Sequence, residues 1–398
     1  MKRFLLITLT SLVALAGCHS FKKENVQPPT VLDKDFKPTV QVTKVWSTSV
    51  GKGAGASGVR LRPTIEGGVL YADSTDGDLV AIDATSGKTL WTKNSTVHGW
   101  FGWGDKKRKD AMYAGGPAVD GDLLAVGTLD GHVYAVNSKD GTPRWEAELN
   151  SEVLASPAIV GDLVVVRTED GRLYGLDRAT GNRTWVYDQG TVPLLSLRGN
   201  GSPLIANGVV FYGSDDGKLI ALRMDNGAKL WEQRLGSGIG RTEIDRLDDV
   251  DGSVLLDGTT LYGAAYHGNL VAVEGPSGRP LWAHPLSTFD ALAINGTAIF
   301  GVNEDSQVLA FDKSSGANIW KNDALKYRWV TGPAVQGNYA VVGDLEGYVH
   351  WLQIGDGALA GRERLSKKAI RAQPLVVGDI VYVEDVKGHI GAYRLSAH

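Results

Sequence analysis

Leu195, Leu197 and Arg198 lie in one short run, and the carboxylates Asp249 and Asp251 lie further on. Together these are the residues whose types and spacing best suit chemistry, and that chemistry is recognition. Apolar side chains beside a guanidinium are a typical anchor set for a protein interface. Acidic residues nearby give a partner an electrostatic foothold as well. Two blander readings stay open: the leucines plug a central funnel, or the acidic segment is merely solvated. The usual catalytic signatures are missing. No Gly-x-Ser-x-Gly elbow or His-Glu-x-x-His pair occurs. The eight histidines are scattered without metal-ligand spacing, and many aspartates fall in Asp-Gly turns. Gly53-Ala54-Gly55-Ala56-Ser57-Gly58 has the Gly-x-Gly-x-x-Gly spacing. Val59 to Pro63 then lead toward a strand, whereas a dinucleotide site needs a helix there. The single cysteine, Cys18, excludes an intramolecular disulfide and a cysteine-based zinc cluster. We therefore expect no cofactor, no metal and no enzyme.

The elements that must carry these residues repeat along the chain. Ser202 to Trp231 shows the unit. Pro203-Leu204-Ile205 is a strand that turns at Asn207-Gly208. Val209 to Gly213 turns at Asp216-Gly217, Lys218 to Arg223 turns at Asn226-Gly227, and Lys229 to Arg234 carries Trp231. Gly with Asn or Asp supplies the positive φ of tight hairpins. The second turn recurs at Gly77, Gly131, Gly171, Gly217, Gly268, Ser306, Gly347 and Gly388, about 44 residues apart. The fourth-strand tryptophan recurs at Trp91, Trp145, Trp185, Trp231, Trp282 and Trp320, and is lost in the seventh unit near Ala360. Six recurrences mark it as blade-to-blade packing. Four short antiparallel strands repeated eight times predict an all-β, eight-bladed β-propeller. The eighth unit ends after its third strand, Ile390 to Leu395, and Val45 to Val50 alternates like a strand and carries Trp46. This N-terminal strand is expected to complete the last blade and close the ring.

Composition sets the outer limits. With 398 residues, 43% hydrophobic and 22% charged, the chain is ordinary globular protein. Its 41 basic and 45 acidic residues leave a net charge of -4, so no basic field draws it onto nucleic acid. Residues 1–17 read as an export signal: Lys2 and Arg3, an apolar run too short to span a bilayer, then Leu15-Ala16-Gly17-Cys18. That last run is a bacterial lipobox, in which the Cys18 thiol takes the lipid and several acyl chains anchor the protein. His19 after it favours the outer membrane. Residues 18–41 are the lipidated N-terminus and a flexible or extended tether, and 42–398 are the propeller.

Strands alternate direction, so the second-to-third turn and the fourth-to-first connector of each blade share one face. Three such connectors are long: 97–109, aromatic and basic; 193–199, with Leu195, Leu197 and Arg198; and 240–251, with Asp248, Asp249 and Asp251. The second and third flank one blade and are expected to be neighbours. Leu195-Ser196-Leu197-Arg198-Gly199, Thr242-Glu243-Ile244-Asp245-Arg246-Leu247 and Asp249-Val250-Asp251 resemble the B lipoproteins (BamB family) of the outer-membrane β-barrel assembly machinery. The lipobox, Trp46 to Gly51 and Gly343 to Trp351 are similar too. The longer 97–109 connector and the extra Asp248 depart from that pattern. The resemblance implies a non-enzymatic propeller lipoprotein on the periplasmic face of the outer membrane. It would bind the periplasmic domains of BamA through Leu195, Leu197, Arg198, Asp249 and Asp251, and assist folding and insertion of nascent outer-membrane proteins. The alternative is a propeller dehydrogenase or sensor of the pyrroloquinoline-quinone type, which the repeat also resembles. Those enzymes usually carry an adjacent cysteine pair and a calcium site. A sugar- or peptide-binding surface module is a third class.

Overall fold

Each unit folds as its turns dictate. In the fourth blade the strands Leu204–Ala206, Val209–Gly213, Lys218–Arg223 and Lys229–Arg234 pair antiparallel in that order. The computed structural model describes residues 27–95, 112–190, 193, 195–199, 201–236, 238, 241, 242, 244 and 247–396. Residues 1–17, Cys18 and the 97–109 connector lie outside them. The described residues form eight four-stranded sheets and no helix, so no helix is long and apolar enough to cross a membrane. Seven blades are consecutive in sequence. The eighth combines Leu375–Val377, Ile380–Glu384 and His389–Ser396 with Gln41–Ser49 from the other part of the chain. The closing strand thus forms as expected and begins four residues earlier than its alternation suggests.

The recurring tryptophans are the joints between blades. Each faces a small residue on its own third strand, as Trp91 faces Ala81, Trp185 faces Gly175 and Trp231 faces Ala221. The ring nitrogen then donates to a backbone carbonyl of the next blade: Trp46 to Ala84, Trp145 to Arg178, Trp185 to Met224 and Trp320 to Ile354, at 2.8–3.0 Å. The ring lies on the third-to-fourth turn of that blade. Gly227 there has φ 69, and a methyl on it would come 2.6 Å from the Trp185 ring. Glycine is needed at this position for both reasons.

The seventh blade shows why its fourth strand lacks the tryptophan. The eighth blade takes its fourth strand from the other part of the chain, so it has no third-to-fourth turn for an indole to rest on. The register places Gly361 at the vacant position, opposite Trp351 where other blades carry Ala or Gly. The indole has changed strands. Trp351 is fully buried, its Nε1 donates to Gln336 Oε1 at 2.7 Å, and Gln336 Nε2 donates to Asp379 O in blade eight at 2.7 Å. Val40 and Val42 pack beside Gly361.

The stretch ahead of the closing strand is extended and is laid against blade seven. The Thr30 and Thr39 amides donate to Lys326 O and Ala360 O at 3.0 and 2.7 Å. Arg328 Nη1 donates to Thr30 O, and Arg362 Nη2 to Asp33 O. Residues 30–40 thus take the extended form of the expected tether, held along the ring by these bonds. The guanidinium of Arg328 is itself buried against Asp344, which also takes His350 Nε2 at 3.0 Å.

Candidate functional site

The long connectors gather on one face because each blade's fourth strand returns to its own second turn. The Leu235 amide donates to Gly217 O at 2.8 Å, Leu365 to Gly347 O at 2.9 Å, and Val50 to Gly388 O at 2.8 Å. The connectors flanking blade four meet there. The Leu197 amide donates to Asp249 Oδ2 at 2.5 Å. At Gly199 an added methyl would strike Asp251 Oδ1. Arg198 between them sits in the left-handed region at φ 56, and its guanidinium pairs with Glu152 from the preceding connector. This mounting turns the apolar side chains outward: Leu195 is 46% and Leu197 37% exposed. Leu197 lines the funnel wall and Leu195 does not, so the pair does not plug the funnel.

The acidic residues differ from expectation. Asp249 is fully buried, and Asp248 and Asp251 are each 5% exposed, so they offer no charged surface to a partner. Their surroundings explain this. Val250 between them wedges against Gly213, its amide donates to Ser214 O, and Asp248 pairs with Arg234 at 3.1 Å. The side chains of Asp249 and Asp251 are thereby drawn inside with Asp215, their oxygens within 4.8 Å of one another. Burial pushes the Asp249 carboxyl up to about 6 and that of Asp251 well above the usual carboxylate range. Three carboxyl groups at this separation have metal-ligand spacing, yet Arg167, buried and paired with Asp215, already supplies a positive charge there. Nearby Glu169 is pushed up to about 7, chiefly by burial. Asp249 therefore holds the Leu195–Gly199 connector from beneath through the Leu197 amide, and Asp251 packs against Gly199.

Reading the sequence for anchors missed Trp329 and Ile244, which are 66% and 64% exposed on this face's connectors. Trp329 follows Trp320 too closely to belong to the repeat, and that was the available signal. Ile244 lies inside the third connector; Glu243, Asp245 and Arg246 beside it lie outside the described residues. Gly53 to Gly58 forms turns between the closing strand and blade one with no helix after them, as expected. The funnel on the ring axis is a cavity of about 590 Å³, with Arg198, Leu197, Trp329 and Arg60 in its wall. Arg60 Nη1 bonds Asp290 Oδ1 at 2.7 Å, and its guanidinium lies 5.2 Å from the Phe289 ring centre.

Known proteins resemble this chain over its whole length. A family model described as outer membrane protein assembly factor BamB matches residues 101–322 and 315–398. A second, for the β-propeller domain of glucose, ethanol and alcohol dehydrogenases, matches 39–147. The outer membrane protein assembly factor BamB of Xanthomonas campestris pv. campestris is 46% identical, covering 99% of this chain and 98% of that one. The crystal structure of BamB from Moraxella catarrhalis superposes with a TM-score of 0.78 at 30% identity, covering 89% of this chain and all of the other. Quinohemoprotein alcohol dehydrogenase from Comamonas testosteroni superposes at 0.69 with 13% identity, over 89% of this chain and 76% of its own. That likeness shows a shared fold alone.

Proposed function

The chain belongs to the BamB family of outer membrane protein assembly factors, and on that premise we propose that its connector face is the docking surface through which it joins the assembly machinery. It is an assembly scaffold of the outer membrane and not an enzyme; the dehydrogenase relatives are distant. The partner we assign to the face is the set of periplasmic domains of BamA. Leu195, Leu197 and Arg198 make the contact, and Asp249 and Asp251 position them. A lipid on Cys18 holds the protein at the periplasmic side of the outer membrane.

One observation carries this reading: the Leu197 amide is fixed by a buried carboxylate while Leu195 and Leu197 point outward. Exposed leucines on a rigidly held loop suit an interface, because little conformational freedom remains to be lost on binding. Replacing Leu195, Leu197 and Arg198 together by Ala tests it. Fully burying a leucine is worth about 1.5–3 kcal/mol, and truncating an arginine anchor costs about 2 or more. Half of that total weakens binding roughly 100-fold. Calorimetric titration with the periplasmic domains of BamA reads the loss, and circular dichroism melting should match the wild type. A well-folded triple variant that binds with wild-type affinity sinks the assignment.

A further inference from the structure

Beneath the funnel the axis holds a second cavity of about 220 Å³. Its wall comes largely from residues that precede the first strands of blades, such as Pro63, Ser156, Ser202 and Ser253. The two cavities share Arg60, Leu154, Asp251, Phe289, Asp290 and Arg371, so they adjoin along the axis. Arg62 and Arg371 line the inner cavity with side chains open to it, and the enclosing protein desolvates the Arg62 guanidinium enough to lower its pKa. Neither has an ion pair or a side-chain hydrogen bond among the described residues. Arg60 adds a third guanidinium. Against these stand two carboxyl groups: Asp290, bonded to Arg60, and Asp251, which burial drives toward its neutral form. The inner wall is therefore left with surplus positive charge in a confined space, where surrounding protein focuses the field. Guanidinium groups pair with carboxylates by shape as well as charge. The outer rim is apolar, with Leu197, Leu345 and the largely exposed Trp329.

We propose that the axial cavity is a carboxylate site for an acidic polypeptide segment, whose acid reaches Arg62 and Arg371 while its apolar neighbours rest on Leu197 and Trp329. The rim is what selects a polypeptide over a free anion, which would use only the arginines. The proposal shares Leu197 with the partner reading above; the arginines stand apart from it.

Calorimetric titration of the whole chain with three probes tests it: acetyl-Leu-Asp-Leu-amide, its Leu-Asn-Leu twin, and tricarballylate as a free polycarboxylate. The acidic peptide is expected to bind roughly tenfold or more tighter than the twin, the scale of a charge-assisted pair. Arg62→Gln with Arg371→Gln removes that preference and leaves twin binding and melting unchanged. Trp329→Ala weakens both peptides alike. Equal affinities, or a preference that survives the double variant, overturn the site. Tricarballylate binding tighter than the acidic peptide overturns the polypeptide occupant. No BamA is present in these titrations, so their outcome and that of the connector variant are read separately.

Discussion

In the proposed docking, Asp249 serves the interface without touching the partner. Its Oδ2 accepts the Leu197 amide from a fully buried position. Deleting the acceptor leaves that amide without its bond, a loss of about 1–2 kcal/mol for a hydrogen bond to a group of this kind. Asp249→Ala is therefore expected to lower the melting temperature modestly and, by releasing the Leu195–Gly199 connector, to weaken BamA binding about tenfold. Asp249→Asn keeps a carbonyl oxygen in place and should bind nearly as the wild type does. Raising ionic strength should leave the Asn variant's effect unaltered, because salt screens exposed charges and this one is inside. Titrations of both variants at two salt concentrations check this; a salt-dependent Asn effect means that the carboxylate faces the partner directly.

At the scale of elements, the ring is held by tryptophans that each bridge to the next blade, and Trp46 is the one that closes it. It donates to Ala84 O, tilts against Tyr382 at 5.8 Å between ring centres, and lies on Gly87. Trp46→Ala should cost about 3–5 kcal/mol, as buried tryptophan truncations do, with a lower melting temperature and exposure of the His389–Ser396 edge to aggregation. Melting and light scattering measure both, and an unchanged monomeric melt contradicts closure by this strand. The blades, their turns and the closing strand were legible because each is a local pattern: a glycine at a hairpin, a tryptophan at a fixed offset. Asp249 and Asp251 were misread as surface because what buries them is not local. Arg167 arrives from blade three and Asp215 from blade four. The docking of residues 30–40 was hidden likewise, since its partners, Lys326, Arg328 and Ala360, lie far along the chain.

The whole molecule carries an unusual load of buried acid. Burial raises Asp249 to about 6 and Glu169 to about 7, and lifts Asp73, Asp251 and Glu384 well above the usual range. A folded pKa above the unfolded one means that the folded chain keeps protons the unfolded chain has released. That stability is full below the unfolded pKa and is lost as pH rises through 6 and 7. His350, lowered by burial, acts oppositely as pH falls below about 6.5. The carboxyl groups outnumber it, so the melting temperature should be higher near pH 5.5 than near pH 8, and Asp249→Asn should flatten the difference; a rise toward alkaline pH contradicts the assignment. Anchoring is a property of the whole molecule too. Cys18→Ser removes the proposed acyl acceptor and should leave the protein soluble or unprocessed on membrane fractionation, whereas full retention in the outer membrane contradicts the proposed lipid anchor. In the proposed arrangement this propeller is a scaffold joined to the assembly machinery by its connector face. Affinity isolation from membranes, with the wild type and the Leu195, Leu197 and Arg198 triple alanine variant side by side, addresses it most directly. BamA should co-purify with the wild type and be lost from the equally abundant, folded variant; equal recovery of BamA with both contradicts the account.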